Sequence, residues 1–171
     1  MLFGNSELEF VDKIVSEKGL QKSRTKIQSI LDFPLPTVSK QLKRFLGTAN
    51  YLRAFVRDYS TISQPLHQLL TDYNKTRRVV WTPESTAAFH EMKPAISKCT
   101  TMHFMSDTAP ITLHNDASDY CAGGYLFQTV DGIDQSVAFV SRSLNKSQLR
   151  WSVIQKEAYG IFYSCAIVSL L

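Results

Sequence analysis

The chain has 171 residues, of which 44% are hydrophobic and 20% charged. That is ordinary globular composition, with length enough for a real core, and it excludes collagen-like, disordered and disulfide-scaffold classes. The net charge of +4 is unevenly held: residues 22–80 carry 11 Lys/Arg against 3 Asp/Glu, and residues 1–21 and 81–171 are each net −2. Such a basic block suits a polyanionic partner, with a merely solvated surface as the alternative.

The N-terminus has neither the basic nor the apolar region of a signal peptide. The longest apolar run, Ala158 to Leu171, is broken by Gly160, Ser164 and Ser169 and is too short to span a bilayer. An intracellular protein of cytoplasm or nucleus, without a membrane partner, is the expectation. Cys99, Cys121 and Cys165 are odd in number and widely spaced. That predicts reduced core thiols and neither a disulfide framework nor a zinc site.

Leu8 through Val15 alternates loosely, and Ser16 to Gly19 supplies a turn. This predicts a short strand pair that completes a sheet elsewhere. Residues 23–72 read as helical. Ile27, Ile30 and Leu31 share one face of a first helix ended by Pro34 and Pro36. A second helix opens near Thr37, a good N-cap residue. Leu42, Phe45, Leu46, Ala49, Leu52 and Val56 form its apolar stripe. On the other half of that cylinder the helical projection places Lys40, Lys43, Arg44, Tyr51 and Arg57. Cations there could meet phosphates, and Tyr51 could lie against sugar or base; an ordinary wet helix face is the alternative. A third, shorter helix carries Ile62, Leu66, Leu69 and Leu70.

Residues 74–81 read as a loop and a short strand. Thr82-Pro83-Glu84 then starts a helix, with an N-cap, a proline at the first position and an acid near the positive dipole end. Ala88, Phe89, Met92 and Ile96 form its stripe. Pro94 falls inside the pattern, so the helix either ends near Lys93 or bends there.

The stretch Ile111–Gln128 reads as two strands around a small-residue bend. Asp116 ends the first, and the Gly123-Gly124 pair in the second marks a bulge or a close approach by another backbone or ligand. A carboxylate at such a strand end suits a metal or phosphate; a solvated turn aspartate is the alternative. Asp131-Gly132 signals a tight hairpin, and Val137 to Ser141 a third strand. A long helix opens at Asn145 or Ser147. Trp151, Ile154, Ala158, Ile161, Phe162 and Cys165 form the stripe predicted to face the sheet. Glu157 lies about 80° from its centre, with Lys156 directed to solvent. Packing of this helix on the meander would bring Glu157 toward Asp116; a snorkelling surface glutamate is the alternative.

These residues match a known pattern. Leu31-Asp-Phe-Pro-Leu-Pro-Thr, Phe45-Leu-Gly-Thr-Ala-Asn-Tyr-Leu-Arg-Ala-Phe, Ser63-Gln-Pro-Leu and Trp81-Thr-Pro-Glu resemble the thumb and connection of reverse transcriptases from gypsy-type LTR retrotransposons. Asn115-Asp-Ala-Ser-Asp-Tyr, Ala138-Phe-Val-Ser-Arg-Ser-Leu-Asn and Gln155-Lys-Glu-Ala resemble the start of their ribonuclease H domain. The resemblance covers nearly the whole chain.

It implies an α+β fold: a helical thumb/connection module, then a truncated ribonuclease H-like three-stranded antiparallel sheet with one packed helix. Residues 1–22 would be the terminal palm hairpin, 23–104 the thumb and connection, and 105–171 the N-terminal half of the ribonuclease H-like domain. Asp116 and Glu157 would be two of four catalytic carboxylates binding two Mg²⁺. The partners would be RNA–DNA hybrid or duplex nucleic acid and the remainder of the Pol polyprotein. Two metals can activate a water and stabilise the leaving oxygen, and Mg²⁺ takes hard oxygen ligands. The chain stops at Leu171, short of the family's third and fourth acids, and it holds no adjacent Asp-Asp pair of the polymerase motif. The expectation is therefore a fragment of an RNA-directed DNA polymerase and ribonuclease H, inactive alone, with a weak or absent Mg²⁺ site. The alternatives are a non-catalytic nucleic-acid-binding module and a decayed element used as a protein-interaction surface.

Overall fold

The computed structural model describes residues 6–10, 12–71, 78–98 and 101–169. Cys99 and most of the loop expected after Asn74 lie outside them. The order is three short strands, four helices, three longer strands and a final helix.

The first strands, β1 (Glu7–Phe10), β2 (Lys13–Ser16) and β3 (Gly19–Lys22), form an antiparallel sheet of their own. Three strands form where a strand pair is expected, and they are not hydrogen-bonded to the strands of the later sheet. Gly19 explains the placement. It has φ +124, and a Cβ there would lie 2.1 Å from the Met102 carbonyl oxygen. Glycine therefore lets β3 come close enough for Leu20 and Met102 to exchange backbone hydrogen bonds of 2.7 and 2.9 Å.

The helices are α1 (Arg24–Leu31), α2 (Ser39–Tyr51), α3 (Tyr59–Thr71) and α4 (Pro83–Ser97). The stripe predicted on α2 is the centre of the core. Leu42, Phe45, Leu46, Ala49, Leu52 and Val56 are all buried, together with Phe89, Met92 and Ile96 of α4. The Phe45 and Phe89 rings meet at 4.7 Å. At the start of α2, Gln41 Oε1 accepts from the backbone N–H of Thr37 at 2.9 Å and of Val38 at 3.4 Å, so the cap lies one residue beyond Thr37. Thr82 caps α4 by accepting from Ser85 N, as its sequence predicts. The helix runs through Pro94 to Ser97, with Lys98 N donating to Pro94 O at 2.9 Å.

The second sheet has the predicted antiparallel order: β4 (Ile111–Ala117), β5 (Cys121–Val130) and β6 (Ile133–Ser143), with a register shift at Leu126/Phe127. Asp131 and Gly132 turn the β5–β6 hairpin with φ 53 and 75, the doubly positive geometry such a turn requires. The final helix starts later than expected. Asn145 instead holds a short 3-10 turn, its Oδ1 accepting from Ser147 N and Gln148 N at 3.0 Å. Ser152 then caps α5 (Val153–Val168).

α5 packs on the sheet with the opposite face from the one its apolar stripe predicts. Lys156, Gly160 and Ser164 are buried, whereas Ile154 is 81% and Phe162 69% exposed. The reason is approach distance. A Cβ on Gly160 would stand 2.7 Å from the Asn115 amide, and one on Gly124 would stand 2.6 Å from Ser164 Oγ. The helix lies so close to β4 and β5 that only small side chains fit between them. Cys121 is buried as expected, but Cys165, on the outward side of α5, is exposed.

Candidate functional site

β4 alternates, and the two faces it presents have different neighbours. Asn115 points toward α5, where its amide hydrogen-bonds Ser164 Oγ at 2.8 Å. With its nitrogen turned to the carbonyls of Gly123 (2.8 Å) and Gly160 (3.1 Å), the amide is satisfied between strand and helix. Asp116, the next residue, faces the other way. It is exposed and lies opposite Gly123 in the β4–β5 register. There it lines an open recess of about 120 Å³ with Arg57, Asp58, His114 and Tyr125.

That second face of the sheet is the one the helical region covers. The Arg53 guanidinium donates to Ser141 O. Ser60 N donates to Ser141 Oγ at 2.9 Å, and Thr61 Oγ1 meets Cys121 Sγ at 3.1 Å. The corner between α2 and α3 is thereby fixed over β5 and β6. It brings Arg57 and Asp58 to the recess. Arg57 Nε stands 3.6 Å from Asp58 Oδ2, and its guanidinium lies 5.9 Å from the Tyr125 ring centre.

The expected site residues fall into separate places. Lys40, Lys43 and Arg44 are exposed along α2. Tyr51, the last residue of that helix, has Lys22 Nζ 4.0 Å from its ring centre, and its carbonyl accepts from the same ammonium at 3.3 Å. Arg57 does not share the helix face with them: α2 ends at Tyr51, and a 3-10 turn over Arg53–Phe55 redirects the chain. Glu157 is half-buried on α5 and is not among the residues lining the recess. Lys156 is not directed to solvent. It is 6% exposed, and its Nζ reaches Asp119 Oδ1 at 3.0 Å. Sequence reasoning missed Asp58 altogether, because only the fold carries an aspartate from so far upstream to the end of β4.

Mg²⁺ needs several hard oxygen ligands. The recess offers the carboxylates of Asp116 and Asp58, but Arg57 already stands against Asp58 and would compete with a cation. Among the described residues no group of three or more His, Cys, Asp or Glu side chains is assembled to hold a metal. The described side chains do not by themselves complete a Mg²⁺ cage, and no chemical step through a metal follows from them. No helix among the described residues is long and apolar enough to cross a membrane.

A helical region followed by a three-stranded antiparallel sheet with a packed helix is a ribonuclease H-like arrangement, and comparison with known proteins gives the same class. Residues 81–169 match the model of the RNase H-like domain found in reverse transcriptase. The chain belongs to that family, among the reverse transcriptase–ribonuclease H regions of retrotransposon and retroviral Pol proteins. It is 33% identical over 170 residues to the retrovirus-related Pol polyprotein from transposon opus of Drosophila melanogaster, covering 95% of this chain and 17% of that protein. It is also 33% identical over 163 residues to the transposon Tf2-3 polyprotein of Schizosaccharomyces pombe, covering 95% of this chain and 12% of that one. The chain thus spans a small part of the relatives it matches. Its fold is shared with the foamy viral protease-reverse transcriptase in complex with dsDNA, at a TM-score of 0.78 and 21% identity over 97% of this chain and 34% of that one. The complex of the foamy viral protein with RNA/DNA hybrid gives 0.77 and 21%, over 96% and 22%.

Proposed function

We propose that this chain is a junction segment of a gypsy-type reverse transcriptase. Residues 1–22 are the terminal palm hairpin, 23–104 the thumb and connection, and 105–171 the N-terminal half of the ribonuclease H domain. The parent protein synthesises DNA on an RNA template and cleaves RNA within the hybrid. This segment grips duplex nucleic acid, RNA–DNA hybrid or DNA, along the exposed Lys40, Lys43 and Arg44 of α2. It contributes Asp116 and Glu157 to a carboxylate site completed by the remainder of the Pol polyprotein. A pure binding module or interaction surface would need neither acid, which favours the enzyme-fragment reading.

The observation that carries the proposal is the recess itself: a strand-end carboxylate, Asp116, beside a cation, Arg57, brought by the helical region. The relatives of known structure support it, since the foamy viral proteins were solved with dsDNA and with RNA/DNA hybrid.

The test is affinity for RNA–DNA hybrid as a function of salt, for the chain and for a Lys40→Gln, Lys43→Gln, Arg44→Gln variant. Each phosphate that a cation no longer neutralises reduces the log–log slope by about 0.9, so the triple change flattens it by roughly 2–3 if all three touch phosphate. An unchanged slope with an unchanged circular dichroism spectrum would assign these cations to solvation. The 171-residue chain alone is expected not to hydrolyse hybrid. Mg²⁺-dependent cleavage that disappears in Asp116→Asn would overturn that part.

A further inference from the structure

The recess holds two carboxylates and one guanidinium, and the charges of these three side chains together repel an anion. Yet its one strong cation, Arg57, is held by a weak partner. The Arg57–Asp58 pair is 3.6 Å long, with side chains 71% and 65% exposed. Exposed pairs of this kind exchange readily with water and competing ions. The floor on this side is Gly123, with no side chain to obstruct a strand, and a Cβ there would be 3.9 Å from Asp58 Oδ1. Asp58 adopts φ 55, a conformation that costs a non-glycine residue energy. The start of α3 fixes it there, because the Asp58 carbonyl accepts from Ile62 N at 3.1 Å. The Asp58 carboxylate lies between Arg57 and the floor of the recess.

We propose that Arg57 binds a backbone phosphodiester of duplex nucleic acid at the mouth of the Asp116 recess, and that Asp58 is its built-in competitor. Asp58 occupies the guanidinium when no strand is bound, and a phosphodiester displaces it. A duplex gripped along α2 then lays one strand across Asp116, and Asp58 lowers affinity for any polyanion that does not reach the recess. This rests on the nucleic-acid reading above, and it adds a contact and a restraint which that reading does not contain.

The experiment is a double-mutant cycle on hybrid affinity, measured across salt, with Arg57→Gln, Asp58→Asn and the pair combined. Asparagine tolerates the left-handed backbone at position 58, and Asp58→Gly, which accepts it freely, serves as a second variant should Asn unfold the chain. Asp58→Asn should tighten binding by about threefold to tenfold at low salt, from one repulsion removed and one cation released. Arg57→Gln should weaken binding and reduce the salt slope by about 0.9. In the Arg57→Gln background the Asp58 change should yield less than about a twofold gain, since only the long-range charge term remains. An equal gain in both backgrounds, or an Arg57→Gln slope equal to wild type, would overturn the proposal while leaving the α2 contacts standing. Absence of any binding by the unaltered chain would overturn the nucleic-acid reading itself, and this contact with it.

Discussion

The ammonium of Lys156, buried on α5, lies 3.0 Å from the carboxylate of Asp119 in the bend after β4. The pair ties the start of the final helix to the loop beyond Asp116. It is lopsided: the Lys156 side chain is 8% exposed and that of Asp119 is 83% exposed. Removing Asp119 strands a charge inside, whereas removing Lys156 leaves a carboxylate already in water. Asp119→Asn should therefore destabilise the chain by about 1–2 kcal/mol, below the roughly 3–5 kcal/mol of fully buried pairs because one partner stays hydrated. Lys156→Met should stay within about 1 kcal/mol of wild type. Urea melts of both variants decide it. An Asp119→Asn protein as stable as wild type would mean that the ammonium reaches water unaided.

The glycine pair in β5 divides its work. Gly124 faces Ser164, where an added Cβ would meet the hydroxyl at 2.6 Å; Gly123 has nothing nearer than the Val140 carbonyl at 3.6 Å. Gly124→Ala should cost about 1–3 kcal/mol by overpacking, and Ser164→Gly in the same chain should recover most of it. Gly123→Ala should change stability by about 0.5 kcal/mol or less. Equal melting temperatures for the two alanine variants would contradict the close approach of α5.

The unequal legibility of the sequence has the same physical origin. The α2 and α4 stripes were readable because those helices bury their largest apolar side chains against one another, the case that periodicity detects. Strand order in the second sheet was readable from the Asp131-Gly132 turn and the alternation around Asp116. The orientation of α5 was not. Its strongest apolar stripe, with Ile154 and Phe162, faces outward, and the packed line is Lys156, Gly160 and Ser164. A stripe of small residues is faint in a hydrophobic pattern, yet it decides which face can approach a sheet containing Gly124. Arg57 was misplaced for a different reason. The apolar spacing continues through Leu52 and Val56, both buried, although the helix stops at Tyr51. The encounter of Asp58 with Asp116 depends on two modules meeting, which no local pattern encodes.

Pro94 is exposed and lies three residues before the end of α4. The helix continues past it, so the position lacks the N–H that would bond the carbonyl four residues earlier, at His90. Pro94→Lys restores that donor and removes the ring. It should stabilise the chain by about 1–3 kcal/mol. A lower melting temperature in the variant would mean that the proline relieves a bend the packing of α4 requires.

Tyr59 opens α3 and is 3% exposed, its hydroxyl donating to Leu46 O at 3.5 Å. Burial raises its phenol pKa well above the ordinary value of 10.0, against a smaller lowering by the nearby Arg53 guanidinium. The unfolded chain therefore loses this proton first. The stability held by Tyr59 is fully present below about pH 10 and falls as pH rises from there toward the folded value, by about 1.4 kcal/mol per pH unit for this one group. Tyr59→Phe should be close to wild type at neutral pH, within about 1 kcal/mol for one long hydrogen bond. It should lose less stability than wild type between about pH 10 and pH 11, so that the two unfolding curves converge or cross in that interval. Denaturant titrations at several alkaline pH values measure the difference directly, since the other tyrosines are common to both proteins. Parallel pH profiles would mean that the phenol reaches water in the folded state.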